Sequence, residues 1–388
     1  MSGSPSFVLS PLPAWASMEA SALLMACLGP QARFVGGCVR DALTGHAPND
    51  LDLATSDAPE TVMAKLVAAG FKAVPTGIAH GTVTAVVRGR TFEITTLRRD
   101  VETDGRHATV EFTDDWPADA ARRDFTLNAM SMDAAGGVFD YFGGRADLAQ
   151  RRVRFVGDAA ARIAEDYLRA LRFFRFQARF GGDVPDAQAL AACKAAAPQL
   201  TKLSAERVRS ELFRLIEGPN ASAMLRSMAE AHMFDFWLPE LGDPSALDRL
   251  QAVAAKVGAR VDAVLGLAAL VPAIGAAAAA KRLRCSNADA ARLVALTAPS
   301  VALDPAFDER QRRAAFYRLG GDPAPFVLLA WSKSPGFDAM FASAAAWVRP
   351  KFKLNGGAAQ ATGIAPGPAM GAWLKAREEE WIEAGCPA

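Results

Sequence analysis

The stretch from Phe34 to Leu53 constrains the fold and the chemistry of this chain more than any other part of it. It starts as a short apolar run, breaks into two adjacent glycines, continues as a helix-like segment and returns as Asp50–Leu53, where charged and apolar residues alternate. Alternation with a period of two is typical of a β-strand, and residues two apart on a strand point to the same face. Asp50 and Asp52 are therefore predicted to present two carboxylates side by side, close to a glycine turn.

The residue types in this stretch indicate phosphoryl or nucleotidyl transfer. Paired carboxylates hold hard divalent cations such as Mg²⁺, and two such ions can promote in-line displacement at phosphorus. The turn at Gly36 and Gly37 opens a helix whose N–H groups can bind a phosphate, and Arg40 adds a guanidinium. We therefore predict Mg²⁺ at Asp50 and Asp52 and a triphosphate at the turn. The signature of a P-loop is absent from the sequence.

Composition limits the alternatives. A chain of 388 residues is too long for one ordinary core, so several domains are expected. The formal net charge of +1 argues against a protein that coats nucleic acid non-specifically, but it does not exclude a local basic groove. The five cysteines are scattered without a CxxC pair, which favours a reducing cytoplasm. The uncharged run Ala263–Ala280 is mostly alanine and contains a proline, so two soluble helices are expected there rather than a membrane span.

The region that follows the opening stretch predicts a small α+β domain built on one mixed sheet. Pro59–Gly70 has the pattern of a helix, and three strand-like runs come after it. Glu93 lies in the third run, where it is either a solvent-facing residue on an edge strand or a third carboxylate beside the aspartate pair. From Arg98 to Asp119 the chain turns polar, with a turn signal at Asp104–Gly105, so we expect a mobile loop.

The segment Asp158–Phe180 has the period of one amphipathic helix. Its polar face carries a charged stripe that consists of Asp166, Arg169, Arg172 and Arg175. The stripe is either a solvated surface or a nucleobase-binding face, because arginine planes and the interleaved rings of Phe173 and Phe176 can stack on bases. Beyond residue 180 the chain is predicted to be almost entirely helical.

Asp166 and Arg169 together suit a particular base edge. Cytosine and adenine both place an amine donor beside a ring-nitrogen acceptor, which a carboxylate and a guanidinium complement. Guanine and uracil present a carbonyl and a ring N–H there, so their polar groups would stay unpaired and binding would be disfavoured. The pair predicts a preference for CTP and ATP without a nucleic-acid template.

Taken together, these motifs resemble the class II CCA-adding enzyme and bacterial poly(A) polymerase family of the polymerase-beta nucleotidyltransferase superfamily. The resemblance covers residues 34–180 and is carried by VGGCVRD with NDLDL, FEITTLR, RRDFTLNAM, DYFGGRADL and EDYLRALRFFRF. It implies an α+β fold with a nucleotidyltransferase head at 1–150, followed by an all-α neck at 151–218, body at 219–300 and tail at 301–388. It also implies that tRNA lies along the body and tail.

The same resemblance implies a role for each site residue. The catalytic carboxylates would be Asp50, Asp52 and Glu93, with the first two as metal ligands. Contacts to the nucleotide would come from Gly37, Arg40, Arg123, Asp166, Arg169, Arg172 and Arg175. Asp124 matches a position thought to sense the ribose hydroxyl. The segment 98–110 matches the flexible loop with which CCA-adding members switch from C to A, and its presence disfavours a CC-only enzyme.

The leading hypothesis is a cytoplasmic, Mg²⁺-dependent enzyme that completes the 3′ CCA of tRNA from CTP and ATP, with no membrane association and no obligate protein partner. The alternatives are a poly(A) polymerase, a member that adds only A, and a non-catalytic RNA-binding protein on the same scaffold. A basic segment typical of the poly(A) branch is absent, which favours tRNA. The tail departs from the family pattern because Gly357 is not followed by the common acidic residue.

Overall fold

The computed structural model describes residues 4–78, 81–103 and 108–387. The chain divides into two compact units, and each is described separately below. The first unit comprises Met1–Leu203 with Ala231–Met233, and the second comprises Ser204–Glu230 with Phe234–Ala388. The division into head, neck, body and tail stays a prediction.

The first unit is built around one mixed sheet and a separate two-stranded ribbon. The strands are β1 (Phe7–Val8), β2 (Ala32–Val35), β3 (Asp52–Thr55), β4 (Lys72–Gly77), β5 (Thr82–Val87), β6 (Arg90–Thr96), β7 (Arg98–Thr103), β8 (Ala108–Phe112), β9 (Ser131–Met132) and β10 (Gly137–Phe139). The helices are α1 (Ala14–Ser17), α2 (Glu19–Leu28), α3 (Gly37–Leu43), α4 (Pro59–Ala68), α5 (Trp116–Ala121), α6 (Gly144–Ala149), α7 (Ala159–Glu165), α8 (Leu168–Phe180) and α9 (Ala187–Ala196). Short 3-10 helices cover Thr126–Asn128 and Ala197–Lys202.

Within the described residues the main sheet has eight strands in the order β1-β10-β9-β2-β3-β6-β5-β4, and β7 pairs only with β8. All neighbours in the main sheet are antiparallel except β3 and β6, which are parallel. Asp52 is the register partner of Glu93 across that parallel pair. The α+β class with an N-terminal mixed sheet is therefore confirmed.

One face of the sheet is covered by α2 and α4, and the other carries the polar residues. Leu24 of α2 and Leu66 of α4 pack in one buried cluster with Phe34 and Leu53. Because strand residues alternate between faces, Asp52 and Glu93 lie on the face opposite to Leu53. A small cluster that includes Ala54 and Trp116 supports that second face.

Three sequence expectations are corrected by the elements observed. Asp50 precedes β3, because the pairing with β6 begins at Asp52. The polar segment expected to be a loop contains the antiparallel ribbon of β7 and β8, while the predicted turn at Asp104–Gly105 lies outside the described residues. The single helix expected over 158–180 is two helices, because the backbone at Asp166 is extended, with a φ of -154°. The Asp166 carboxylate accepts a hydrogen bond from the N–H of Leu168 and so supports the start of α8.

The second unit is helical throughout its described part, as expected. Its helices are α10 (Ala205–Ile216), α11 (Ala221–Glu230), α12 (Ser245–Lys256), α13 (Ala263–Leu270), α14 (Ala273–Arg282), α15 (Asn287–Thr297), α16 (Glu309–Leu319), α17 (Ala324–Lys333), α18 (Asp338–Ala345), α19 (Gly356–Ala361) and α20 (Pro368–Glu383). The alanine-rich run forms α13 and α14, which are separated at Pro272 and both pack against α15. Among the helices of the described ranges, none has both the length and the hydropathy that a membrane span requires.

Candidate active site

Asp52 and Glu93 lie side by side on the polar face of the sheet, and Asp50 is near enough for its charge to act on Asp52. Asp52 opens β3, Glu93 lies directly across from it on β6, and Asp50 is two residues upstream. β6 is flanked by β3 and β5, so the interpretation of Glu93 as an edge-strand residue is wrong. Asp52 is half-buried, whereas Asp50 and Glu93 are exposed.

The electrostatics show that the charges of Asp50 and Glu93 both act on Asp52. Burial, together with the negative charges of Glu93 and Asp50, raises the pKa of Asp52 to about 6, while Arg123 opposes the change. Neighbouring like charges each favour protonation of the other. A divalent cation would relieve the repulsion among the three side chains.

The donor set fits a magnesium site that is completed by a substrate. In the described ranges, no group of three or more His, Cys, Asp or Glu side chains is arranged as a ready-made metal cage. Mg²⁺ is commonly held by one or two carboxylates together with phosphate oxygens and water, so a full protein cage is not required. Asp50 and Asp52 are the residues that would hold it.

The glycine turn and Arg123 lie on the same side of the site. Gly36 has a φ of 71°, a conformation that favours glycine. A Cβ at this position would come within 2.9 Å of Arg123 Nη1, so the guanidinium lies directly against the turn and would have to shift if another residue replaced the glycine. Arg123 donates to Asp119 at 3.4 Å, and Arg122 donates to the same carboxylate at 2.8 Å. Arg123 is therefore placed at the turn by a buried aspartate that sequence reasoning missed.

Arg40 is more enclosed than the sequence suggested. It lies on α3, which begins at Gly37, and its guanidinium is buried. Two of its nitrogens donate to Asp41 Oδ1, at 2.9 and 2.7 Å, and Nη1 donates to Asn128 Oδ1 at 2.6 Å. Burial lowers the pKa of Arg40, and the ion pair with Asp41 opposes that change. Its Nη2 would lie 3.6 Å from a Cβ at Gly37, so Arg40 still stands at the helix start.

The buried Asp124 forms an ion pair with the partly exposed Arg172. Arg172 donates to Asp124 Oδ2 through Nε at 2.8 Å and lies 2.6 Å from it through Nη2. Burial raises the pKa of Asp124, but the charge of Arg172 and hydrogen bonds from Asn128, Arg172 and the Phe125 N–H lower it below its usual range on balance. The carboxylate is therefore ionised at neutral pH.

Arg169 is fixed by several partners at the start of α8. Its Nη1 donates to Glu165 Oε2 at 2.6 Å and to the carbonyl of Arg162 at 3.0 Å, and its Nη2 donates to the carbonyl of Arg122 at 3.0 Å. Asp166 lies between Glu165 and α8, one helical turn before Arg169. The two predicted base-selecting residues contact each other through a backbone hydrogen bond, from the Arg169 N–H to the Asp166 carbonyl at 2.9 Å, and the side chain of Arg169 has Glu165 as its ion-pair partner.

The phenylalanines of α8 do not serve as base-stacking platforms. Phe173 and Phe176 are buried, and both pack against Phe125. The expectation that they stack on nucleobases is therefore wrong, because their rings form the core that anchors α8. Arg175 lies over the Phe176 ring, with its Cζ 4.6 Å from the centroid.

Three functional neighbours were not singled out by sequence reasoning: Asp119, Asn128 and Glu165. Each makes its contacts through buried or partly buried hydrogen bonds. The only sequence signal was that Asn128 lies inside the motif RRDFTLNAM and that Glu165 is the first residue of the motif EDYLRALRFFRF.

Comparison with known proteins identifies two matching family models. Residues 32–154 match the poly A polymerase head domain, and residues 185–243 match a domain described as the probable RNA and SrmB-binding site of polymerase A. The first match contains the carboxylates, the glycine turn and Arg123. The second begins after α8.

Among curated proteins, the chain is similar to tRNA nucleotidyltransferases from animals and bacteria. It is 46% identical over 197 residues to the mitochondrial CCA tRNA nucleotidyltransferase 1 of Homo sapiens, which covers 50% of this chain and 45% of that protein. It is 39% identical over 227 residues to the CCA-adding enzyme of Geobacillus stearothermophilus, which covers 58% and 54%. The chain thus spans about half the length of the curated relatives it matches.

Among solved structures, the fold is similar to that of CCA-adding enzymes over nearly the whole chain. The Bacillus stearothermophilus CCA-adding enzyme in complex with CTP superposes with a TM-score of 0.73 at 28% identity, covering 93% of this chain and 92% of that one. The Thermotoga maritima enzyme complexed with tRNA_CCA gives a TM-score of 0.66 at 21% identity, covering 94% of each chain. The family resemblance inferred from the sequence is therefore confirmed: the chain matches the head-domain model and the probable RNA and SrmB-binding model of polymerase A, and its fold is similar to that of CCA-adding enzymes.

Proposed function

We propose that this chain is a template-independent tRNA nucleotidyltransferase that adds CCA to 3′ ends from CTP and ATP and releases pyrophosphate. The observation that carries the proposal is the register pair of Asp52 and Glu93, with Asp50 beside it, at a glycine turn of a mixed sheet. This arrangement concentrates negative charge where a metal-bound triphosphate would bind. Relatives that match about half of the chain are named for the same reaction.

The roles of the head residues follow from their positions. Mg²⁺ held by Asp50 and Asp52 would supply the charge that activates a 3′ hydroxyl and neutralises the leaving pyrophosphate. Arg123 and the amides at Gly37 would orient the triphosphate, because a guanidinium and free N–H groups both bind phosphate oxygens. Glu93 would complete the carboxylate group.

Base selection would reside at the start of α8. Arg169 is held by Glu165 and two backbone carbonyls, so its guanidinium is positioned before a nucleotide arrives. Asp166 would accept from the exocyclic amine of C or A while Arg169 donates to the ring nitrogen. A preset guanidinium discriminates better than a mobile one, because less side-chain freedom is lost on binding.

A groove in the second unit supports contact with the RNA. It has a volume of about 440 Å³ and is lined by Lys351, Phe352, Lys353, Leu354, Arg377, Glu380, Trp381 and Pro387. Arg377 pairs with Glu380, whereas neither lysine has an acidic partner within ion-pair distance among the described residues. Two unpaired lysines beside aromatic rings suit a phosphate backbone. The cytoplasmic location and the absence of an obligate protein partner stay predictions.

The experiment that tests the proposal uses one purified tRNA lacking its terminal CCA. We expect incorporation of two C residues from CTP alone, one further A when ATP is added, and none from GTP or UTP. Failure to incorporate C from CTP would contradict the proposed function. Resolving the products by length on a gel also separates the alternatives. A poly(A) polymerase extends the tRNA with many A residues, whereas an A-only member requires an acceptor that already ends in CC.

A further inference from the structure

Asn128 joins two charged groups that the sequence analysis treated as separate. It ends the 3-10 helix Thr126–Asn128, and its side chain is buried. Its Oδ1 accepts from Arg40 Nη1 at 2.6 Å, and its Nδ2 donates to Asp124 Oδ1 at 3.0 Å. The opposite polarity of the two partners fixes which end of the amide is the oxygen.

The result is a continuous network of hydrogen-bonded side chains from α3 to α8. It runs through Asp41, Arg40, Asn128, Asp124 and Arg172. One end lies at the glycine turn and the other on the predicted nucleotide-binding face of α8. The guanidiniums of Arg40 and Arg172 also approach the same ring, each with Cζ 5.3 Å from the centroid of Phe176.

Asp124 has its acceptor capacity filled by the protein. Oδ1 accepts from the Phe125 N–H at 2.8 Å and from Asn128, while Oδ2 accepts from Nε and Nη2 of Arg172. An ionised carboxylate offers about four lone-pair positions, so these contacts use all of them. Asp124 therefore acts on a nucleotide through the Arg172 guanidinium that it holds.

We propose that Asn128 is a positioning residue for nucleotide binding, because it couples Arg40 at the triphosphate side to the Asp124–Arg172 pair at the base side. The inference rests on the proposed function, since it assumes that a nucleotide lies between these two arginines. An amide suits the position because it accepts from Arg40 and donates to Asp124 at once. A carboxylate at this position would face the carboxylate of Asp124, and an aliphatic side chain would leave Arg40 Nη1 without this acceptor and Asp124 Oδ1 without this donor.

The test is a polarity swap that compares Asn128→Asp, Asp124→Asn and the double variant. In Asn128→Asp, two carboxylates oppose each other, and we expect the KM for CTP and for ATP to rise about tenfold with kcat within about threefold of wild type. In the double variant, the new amide at position 124 can donate to the new carboxylate at position 128, which still accepts from Arg40. The hydrogen bond is thus restored with its direction reversed, although the Phe125 N–H loses its acceptor at this atom. We expect the loss in the double variant to be at least about tenfold smaller than the product of the two single losses.

Two outcomes would overturn the coupling. One is an unchanged KM in Asn128→Asp, and the other is a loss in the double variant that equals the product of the two single losses. If Asn128→Asp does not fold, recovery of a native circular dichroism spectrum in the double variant supports the coupling, and failure of both to fold overturns it. CTP affinity is also measured by equilibrium titration without tRNA. That titration separates the two hypotheses, because a wild type that binds CTP but adds no C to tRNA contradicts only the proposed function.

Discussion

The carboxylates and the arginines of the first unit are organised in opposite ways. Asp50, Asp52 and Glu93 form no ion pair with any of the described residues, and burial and mutual repulsion raise the pKa of Asp52. Arg40 and Arg169, in contrast, are each held by a carboxylate and by further hydrogen-bond acceptors. Among the described residues the carboxylates thus have no ion-pair partner and only the nearby charge of Arg123, whereas each of the two arginines is paired with a carboxylate.

This difference indicates which part of the substrate each group would bind. Repulsion among carboxylates is relieved by protonation or by cations, and Arg123 is the cation of the described residues that acts on Asp52. Arginines that are already paired have little net charge to attract a ligand over distance. They retain planar donors in fixed positions, which favours recognition of shape and hydrogen-bond pattern. We therefore expect the carboxylates to serve the reaction and the arginines to serve the choice of nucleotide.

The largest expected effect comes from removing one charge of the carboxylate group. Asp52→Asn should lower the rate of C incorporation by at least about 1,000-fold, because a metal ligand is lost while the side-chain shape is kept. The rate is measured in single-turnover reactions with saturating CTP and tRNA. Asp114→Asn is the matched control, since Asp114 is an exposed aspartate of the same unit. An Asp52→Asn enzyme with near wild-type rate would exclude the two-metal mechanism.

Removing one paired arginine should change selectivity rather than reaction chemistry. Arg169→Ala should reduce the preference for CTP over UTP by about 100-fold, because a donor to the base edge is lost. The triphosphate contacts stay, so inhibition by pyrophosphate should change by less than about threefold. Arg90→Ala, an exposed arginine on β6, is the control. Retention of selectivity would show that the pairing of Arg169 with Glu165 is structural only.

The sequence predicted the carboxylates better than their neighbours, for physical reasons. Asp50 and Asp52 stand in an alternating pattern that is visible locally. Glu93 could not be assigned, because its place next to Asp52 depends on a parallel pairing between strands that are separated by a helix and two further strands. Asn128 contacts Arg40 across 88 positions, a distance over which residue spacing carries no signal.

Helix α8 illustrates a second limit of sequence reasoning. The arginines were found because they recur every three residues, but the same period hid the break before α8. It also made Phe173 and Phe176 look surface-exposed, whereas the helix is buried on most sides. Hydrophobic periodicity predicts which side chains are exposed when a helix has one buried face and one solvent face. It gives the wrong exposure where a helix is buried on two sides.

Lys351 and Lys353 in the groove of the second unit extend the comparison, since neither has an ion-pair partner among the described residues. Replacing both, as Lys351→Glu with Lys353→Glu, should raise the KM for tRNA about tenfold and leave the KM for CTP within about twofold. Lys333→Glu is the control because Lys333 is an exposed lysine in the same unit. An unchanged KM for tRNA would remove the groove from the RNA-binding surface. The effect should shrink as salt is added, because the contact is to phosphate.

The smallest expected effect is on the free energy of unfolding. It tests whether repulsion among the carboxylates destabilises the folded protein when no metal ion is bound. The pKa of Asp52 is raised to about 6 in the folded state, so the folded protein loses stability relative to the unfolded chain as the pH rises through that value. In EDTA at pH 8, Asp52→Asn should therefore be more stable than wild type, by about 1–2 kcal/mol, or a few degrees in the melting temperature.

The sign of this change is what distinguishes the carboxylates from the arginines. The stability difference should disappear near pH 4, where Asp52 is protonated in the wild type. It should also shrink when Mg²⁺ is added at pH 8, because the cation stabilises only the intact site. Glu165→Gln, which breaks the ion pair with Arg169, should instead lower the melting temperature at pH 8. Destabilisation by Asp52→Asn would mean that the carboxylates have a counter-charge within the protein, and the contrast between the two groups would fail.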